Sequence, residues 1–568
     1  MSMTRRDLLR LLGVGTGAAA LTAAAPRSAA RLLDTRSLVA PDAPALQFVR
    51  VGPVDGRRAS VLARLDDTHR TFADGTREFL VDQRARRLMA DAGIQWDVVM
   101  DDVLADNRAR SGRAVAAQPG QRDDYRRWED FEADLGALVA AHPTRARLLE
   151  LPHTSLLGRR IFGIEIASDV PRRDGRPVVH HDGMHHAREW PAAEMPIMWA
   201  YDLLESYGTD PITTRIVDET RTVIVPNLNP DGFIRSRDSV AQADSSSDVA
   251  GGLQLALGAA GLESYNRKNL RNLSGVNQAY LGDNPSGYRY DNLDAHGVDV
   301  NRNYPFLWGD DAGSSGDFHD QTYRGTAPWS EPEAGNIRDL ALSLAPITAI
   351  THHTAGGHML YPWGRDAALV QSPDVWELED LGFEMQLSNG YAPNQAFNGL
   401  YPTSGTSRDW MHASGRALVY TFEHGDEFHG PYADTIPAMY EINRGAFISH
   451  SLAALNPLLH IAVTGRVVDP AGNPIAATIR ATKSFETPTA DGQQIAEVQN
   501  VAMTAEDDGR FRFVLPPSTR PHLDEPEFGD GATEPYVIVV EAVGRGPVEI
   551  PVTAGRGETP DLGTVFLN

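Results

Sequence analysis

The sequence predicts an α/β protein: a central region of alternating strands and helices, preceded by a small α/β unit and followed by an all-β end. Three observations predict it. The run Pro177-Val178-Val179-His180-His181-Asp182-Gly183 is a short buried strand breaking at a glycine, and a helical pattern over 194–201 follows it. A second strand-like run, Ile347-Thr348-Ala349-Ile350-Thr351, delivers His352-His353 to its C-terminal end. After residue 459 the pattern turns to alternation, as in Phe511-Arg512-Phe513-Val514-Leu515, with turns such as Asp469-Pro470-Ala471-Gly472.

Taken in order, residues 1–30 carry Thr4-Arg5-Arg6-Asp7-Leu8-Leu9-Arg10 and then an apolar Gly/Ala-rich stretch. This resembles a twin-arginine export signal, with cleavage expected near Ser28-Ala29-Ala30 and an uncleaved anchor as the alternative. The stretch is short for a membrane span, so no stable membrane insertion is expected once the signal is removed. Residues 31–107 alternate strand-like pieces (Leu46-Gln47-Phe48-Val49-Arg50-Val51 and Trp96-Asp97-Val98-Val99-Met100) with helix-like ones (57–65 and 84–92). Residues 108–124 read as a linker, with four arginines over 108–122. The central unit, 125–459, opens on a helix with Phe131, Leu135, Leu138 and Val139 at helical spacing, which Pro143 ends. Within it, 238–262 is rich in Ser, Ala and Gly and reads as a surface insertion. Residues 460–568 read as a small β-sandwich; besides the alternating run and turn above, Val463-Thr464-Gly465-Arg466-Val467-Val468 and 536–540 are strand-like.

The 568 residues allow about three or four domains. A net charge of -24 argues against nucleic acid or an anionic membrane as partner. There is no cysteine, so no disulfide, and stability must rest on the core and on any bound metal.

The chemistry gathers in a few places. His186 and Glu189 stand three apart and share a face on a helical turn, as His185 and Glu189 do at four, so either pair can bind a metal. Such pairs are common on exposed helices, and the pairing gains meaning from His353 at a strand end and from Glu423. That carboxylate closes the apolar run Ala417-Leu418-Val419-Tyr420, where burial is costly unless it is paired or functional. Two histidines and a glutamate are one established zinc ligand set, leaving a position open.

Seven motifs in one order carry a family resemblance: His186-Ala187-Arg188-Glu189-Trp190, Asn229-Pro230-Asp231-Gly232, Arg267-Lys268-Asn269, Gly297-Val298-Asp299-Val300-Asn301-Arg302-Asn303, His353 with Tyr361-Pro362-Trp363-Gly364, Tyr401, and Thr421-Phe422-Glu423. Over 125–456 the chain resembles the zinc metallocarboxypeptidases of the carboxypeptidase A/B family. The run His185-His186-Ala187-Arg188-Glu189 is especially similar to bacterial carboxypeptidase T. The resemblance implies a mixed central sheet flanked by helices and one Zn2+ held by His186, Glu189 and His353, with Asp299 orienting His186. It further implies that Asn301 and Arg302 grip the C-terminal carboxylate of a peptide substrate, that Tyr401 closes over it, and that Arg188 touches the peptide further from the cut. Arg267 would stabilise the developing oxyanion, and Glu423 would carry a proton from the attacking water to the leaving amine.

By the same resemblance, residue 408 sits at the floor of the pocket for the departing side chain. Relatives with an aliphatic residue there prefer apolar ends, and those with Asp prefer basic ones. Arg408 inverts that charge and implies acidic ends, unless it turns to solvent or pairs with a local acid. Ala355 stands where relatives often carry Tyr, which implies a more open wall. Residues 31–107 resemble a propeptide domain covering the site, a permanent accessory domain being the alternative, and 460–568 resemble a transthyretin-like domain. Asp231 is expected to form a turn, and His180, His181, His185 and His352 to pack. The expected protein is an exported carboxypeptidase acting on peptide C-termini; the alternatives are a zinc amidase acting on cell-wall peptides or acylated amino acids, and a non-catalytic binding module.

Overall fold

The computed structural model describes residues 46–62, 65–71, 74–101, 118–242, 266–271, 297–318, 320–365, 372, 374–519 and 533–568. The export signal, most of the linker and most of the 238–262 insertion lie outside these.

β1 (Leu46–Val51), β2 (Asp66–Thr71), β3 (Arg77–Asp82) and β4 (Asp97–Met100) form an antiparallel sheet in the order β2-β3-β1-β4. Helices Gly56–Leu62 and Gln83–Asp91 close a core of Val49, Phe79, Val81, Met89 and Trp96. β2 escapes a sequence reading because Asp66-Asp67-Thr68-His69-Arg70-Thr71 has no apolar alternation.

The central sheet consists of β5 (Ala146–Glu150), β6 (Phe162–Ile166), β7 (Val178–Gly183), β8 (Arg221–Val225), β9 (Thr348–His353), β10 (His358–Tyr361), β11 (Ala392–Gln395) and β12 (Leu418–Glu423). Their order, β11-β10-β12-β9-β7-β8-β6-β5, has a parallel centre and antiparallel joins toward both edges. The mixed α/β expectation is borne out. β7, β8, β9 and β12 are buried throughout, as parallel strands covered on both faces must be. Alternation along β12 divides the two cores. Leu418, Tyr420 and Phe422 meet helices Pro191–Glu205, Val375–Asn389 and Tyr432–Ala453, while Ala417 and Val419 meet helices Pro332–Leu344 and Ser407–Ala413. From β7 the chain goes to β8 on one side, and β9 lies on the other. Open α/β sheets place their sites at such a reversal, beyond the carboxyl ends of the strands.

At the C-terminal end, β13 (Ile461–Val468), β16 (Arg510–Leu515) and β19 (Asp561–Phe566) form one sheet; β14 (Thr478–Pro488), β15 (Gln494–Thr504), β17 (Tyr536–Glu541) and β18 (Val548–Val552) form another. The two share a core that includes Val463, Ile479, Phe513 and Ile538. No helix among the described residues is long and apolar enough to cross a membrane.

A buried ion group ties these sheets to the central unit. Asp374 lies 2.6 Å from Arg416 Nη1 and 2.6 Å from Arg556 Nε, and Arg556 also donates to the Arg416 carbonyl at 2.8 Å. Burial acts to raise the Asp374 carboxyl, but the two guanidiniums more than offset it and hold it well below its ordinary 3.8. Its contribution is therefore complete above that ordinary value and is lost as pH falls below 3.8 through the depressed one. Asp374→Asn strands two guanidiniums and is expected to cost about 3–5 kcal/mol at pH 7. The urea midpoint gap between native and variant should narrow as pH drops below 3.8; equal midpoints at neutral pH would refute the account.

Candidate active site

The site begins where β7 ends. A Cβ on Gly183 would lie 2.1 Å from the Ala192 carbonyl oxygen, so only glycine lets the strand pass so close to the following helix. Met184 then takes a left-handed conformation (φ 64°) and turns the chain upward. His186 and Glu189 sit on a hydrogen-bonded turn, Glu189 N to His186 O at 3.2 Å, and not on a helix as their spacing suggests. The helix starts just after, at Pro191.

His353 ends β9 and faces this turn. His186 Nδ1 is 2.7 Å from Glu189 Oε1, His353 Nδ1 is 2.8 Å from Glu189 Oε2, and the two Nδ1 atoms are 3.1 Å apart. The three residues are the one potential metal-binding cluster among the described residues. They fit zinc. Asp299 Oδ1 accepts from His186 Nε2 at 3.1 Å, which leaves Nδ1 as a lone pair. Burial holds His186 down to about 4 and His353 down to about 3, so both rings are neutral, as metal ligands must be. Lone pairs crowded this closely around a carboxylate repel one another unless a cation lies among them. His185 is excluded from the set: its Nε2 meets the Tyr304 hydroxyl at 2.8 Å, and its ring stacks behind His353.

Asp299 organises the next layer. Its second oxygen accepts from Arg267 Nε at 3.1 Å and Nη2 at 2.9 Å, which leaves Arg267 Nη1 3.9 Å from Glu189. The same residue caps a tight turn, accepting from the Asn301 backbone at 2.9 Å, and the turn presents Asn301 and Arg302. Arg302 donates to the Gly313 carbonyl at 2.6 Å, the Asn301 carbonyl at 2.8 Å and the Tyr401 hydroxyl at 2.9 Å. The clamp residues and Tyr401 thus converge, held by short bonds made by the chain itself. Arg188 is buried with its guanidinium 4.1 Å above the Phe428 ring.

Glu423 ends β12, in register with His353 on β9. It is buried, and its Oε2 has no hydrogen-bond partner among the described residues. Burial and then the Glu189 charge push its carboxyl well up, while Arg267, Arg408 and Arg302 act against them. Glu423 thus lies buried among the charges of Glu189, Arg267, Arg408 and Arg302.

Arg408, whose charge acts on Glu423, does not stand alone. Its Nε lies 3.0 Å from Asp409 Oδ1, and its Nη2 donates to Thr403 Oγ1 at 3.1 Å. Gly364 packs against the pair, where a Cβ would come within 2.3 Å of Arg408 Nη2. Pairing with a local acid is the alternative foreseen for this residue, and the Asp409 carboxylate offsets its charge.

Other roles were invisible in the sequence. Asp231 does not form the expected turn but lies in the first turn of the helix Pro230–Gln242, where it is buried and accepts from Ser155 Oγ at 2.9 Å, Leu157 N at 2.9 Å and Arg159 Nη1 at 2.7 Å. His181, His352 and His424 form a buried ladder on the sheet face opposite the ligands, with links of 3.0 and 2.9 Å. Adjacent histidines in the sequence hinted at it; their division between two faces needed the strands. Glu497, far along the chain, accepts from Trp410 two residues after Arg408.

A family model described as zinc carboxypeptidase matches residues 131–444, more than half of the chain. The chain is similar to carboxypeptidase A1 of Rattus norvegicus, 24% identical over 426 residues that span 70% of this chain and 90% of the relative. It is also similar to carboxypeptidase B of Helicoverpa zea, 25% identical over 348 residues that span 59% and 71%. Among solved structures, the carboxypeptidase A from Helicoverpa armigera superposes with a TM-score of 0.56 at 21% identity, over 73% of this chain and 99% of that one. That superposition speaks for the fold.

Proposed function

Because this chain belongs to the zinc carboxypeptidase family and is a metallocarboxypeptidase, we propose that it removes single C-terminal residues from peptides by the residues described above. The observation that carries this reading is the unsatisfied, buried Glu423 carboxylate beside a complete ligand set and a carboxylate clamp. Zinc, when bound by His186, Glu189 and His353, supplies Lewis acidity toward the scissile carbonyl and the attacking water. Arg302 and Asn301 bind the terminal carboxylate, and the Tyr401 hydroxyl closes the same corner. Arg267, steadied by Asp299, turns its remaining nitrogen toward the oxygen on which charge develops. Glu423 accepts the proton of the attacking water and returns it to the leaving amine. Arg188 meets the peptide upstream of the cut, where Ala355 leaves the wall open.

The finer reading concerns side-chain preference. Arg408 at the pocket floor, even paired with Asp409, penalises Lys and Arg ends and favours Glu or Asp. The test is a panel of peptides differing only in the last residue, with and without chelator. Cleavage should stop with chelator, and peptides ending in Glu should exceed those ending in Lys by at least about tenfold in kcat/KM. If Arg408→Asp leaves the ranking of Glu, Leu and Lys ends unchanged, the pocket assignment is wrong.

Residues 31–107 serve as a propeptide-like cover. What supports this reading is Arg77 on β3, whose guanidinium is lowered by burial and raised in turn by the charge of the Tyr401 phenol. A chain cut within 108–117 that is no more active than the whole one would dismiss the cover. The twin-arginine run supports export, which a mature N-terminus near residue 30 in the secreted or cell-envelope fraction would establish. For 460–568, the two-sheet build supports the transthyretin-like reading.

A further inference from the structure

Resting on the pocket reading of Arg408, we propose that the C-terminal sheets form part of the specificity apparatus, and that Glu497 on β15 is a positioning residue for the pocket floor.

The helix Ser407–Ala413 carries Arg408 and Asp409 at its start and Trp410 directly after them. It is short, about two turns, so its own hydrogen bonds do little to hold its orientation. Part of its anchor comes from outside the central unit. The Trp410 indole N–H donates to Glu497 Oε2 at 3.0 Å, and Thr487 on β14 donates to the same oxygen at 2.7 Å. Thr487 in turn meets Ser414 Oγ, at the end of that helix, at 2.8 Å. The helix is thus held at its middle and at its C-terminal end by one patch of the C-terminal sheets.

The neighbouring loop is held by the same hairpin. Leu307 N donates to the Pro488 carbonyl at 3.0 Å, and Ala490 N donates to the Trp308 carbonyl at 2.8 Å. This loop follows the Asn301-Arg302 clamp, and Tyr304 within it both contacts Trp410 and hydrogen-bonds His185. Trp329 packs edge-on against Trp410, with ring centroids 4.8 Å apart.

A carboxylate brought into an apolar setting is costly unless its bonds matter. Glu497 is buried, and burial pushes its carboxyl up while the Trp410 and Thr487 bonds act against that. Two apolar side chains would fill the joint more cheaply. What Glu497 adds is direction: an acceptor at a fixed point sets the rotation of Trp410, and with it the facing of the two residues before it. The zinc ligands and Glu423 lie on elements other than those of Glu497 and Trp410.

The experiment uses the full-length zinc protein. Glu497→Leu removes the acceptor, Glu497→Gln keeps one, and Thr487→Val removes the second donor. For each, zinc content and kcat/KM are measured on peptides ending in Glu, Leu and Lys. Glu497→Leu is expected to retain stoichiometric zinc and to change the Glu-to-Leu preference ratio by about tenfold, the size of one hydrogen bond to a charged group. Glu497→Gln should restore the ratio to within about threefold of native, since its amide oxygen can still accept. If Glu497→Leu does not fold, Thr487→Val decides, with a smaller shift in the same direction. Equal losses on all three peptides, or an unchanged ratio in a zinc-loaded variant, overturn the proposal. Failure of the native protein to cleave any peptide would instead strike the carboxypeptidase reading, and a native preference for Leu would strike only the acidic preference, leaving the ratio test intact.

Discussion

Glu423→Gln is expected to lower kcat by about two to four powers of ten while the protein still binds stoichiometric zinc. The substitution keeps the shape of the side chain and removes its capacity to accept and return a proton. Zinc should stay because Glu423 lies outside the cluster formed by His186, Glu189 and His353. Folding should also survive, and stability should rise if anything, because the native carboxylate is buried with one oxygen unsatisfied and a neutral amide is cheaper to bury. KM should change little, since the residue acts on the reacting water and not on the peptide's anchoring groups. Metal analysis beside steady-state kinetics checks all three points. A variant that loses its zinc, or one that turns over at the native rate, would remove Glu423 from the role of base.

Arg302→Ala is the second large effect. Truncating one partner of a desolvated charge pair costs about 2–5 kcal/mol, so kcat/KM for free peptides should fall roughly 30- to 4,000-fold. Arg302 is buried, and its three nitrogens are already aligned by Gly313, Asn301 and Tyr401. The guanidinium therefore meets a substrate carboxylate with little ordering left to do, which is why the loss should fall at the upper part of that range. Native enzyme should discriminate against C-terminally amidated peptides by a similar factor, and Arg302→Ala should erase most of that discrimination. Amidated and free peptides cleaved equally well by the native protein would end the exopeptidase reading, whatever the variant does.

Much of this site could be read before any coordinates, and the physical reason is that its chemistry is carried by rare residue types at strand ends. His186, Glu189 and His353 declare themselves by type, by spacing and by the apolar runs that precede β7 and β9. The same logic singled out Glu423, a charge at the end of the buried run 417–420. Where two readings were open, periodicity could not choose: His185 and His186 are both acceptable partners for Glu189, and only the turn after Met184 sends one toward His353 and the other toward Tyr304.

By itself, the sequence determined the layered α/β class, the residue types gathered at the strand ends and the all-β end, because burial periodicity and costly buried charges are local signals. The tertiary structure alone decided whom the charges face. Asp299 serving His186 and Arg267 at once, and Glu497 reaching back across 87 positions to Trp410, are long-range pairings. No spacing rule encodes them, since they arise only when the sheet order brings distant strands and loops to one end of the fold.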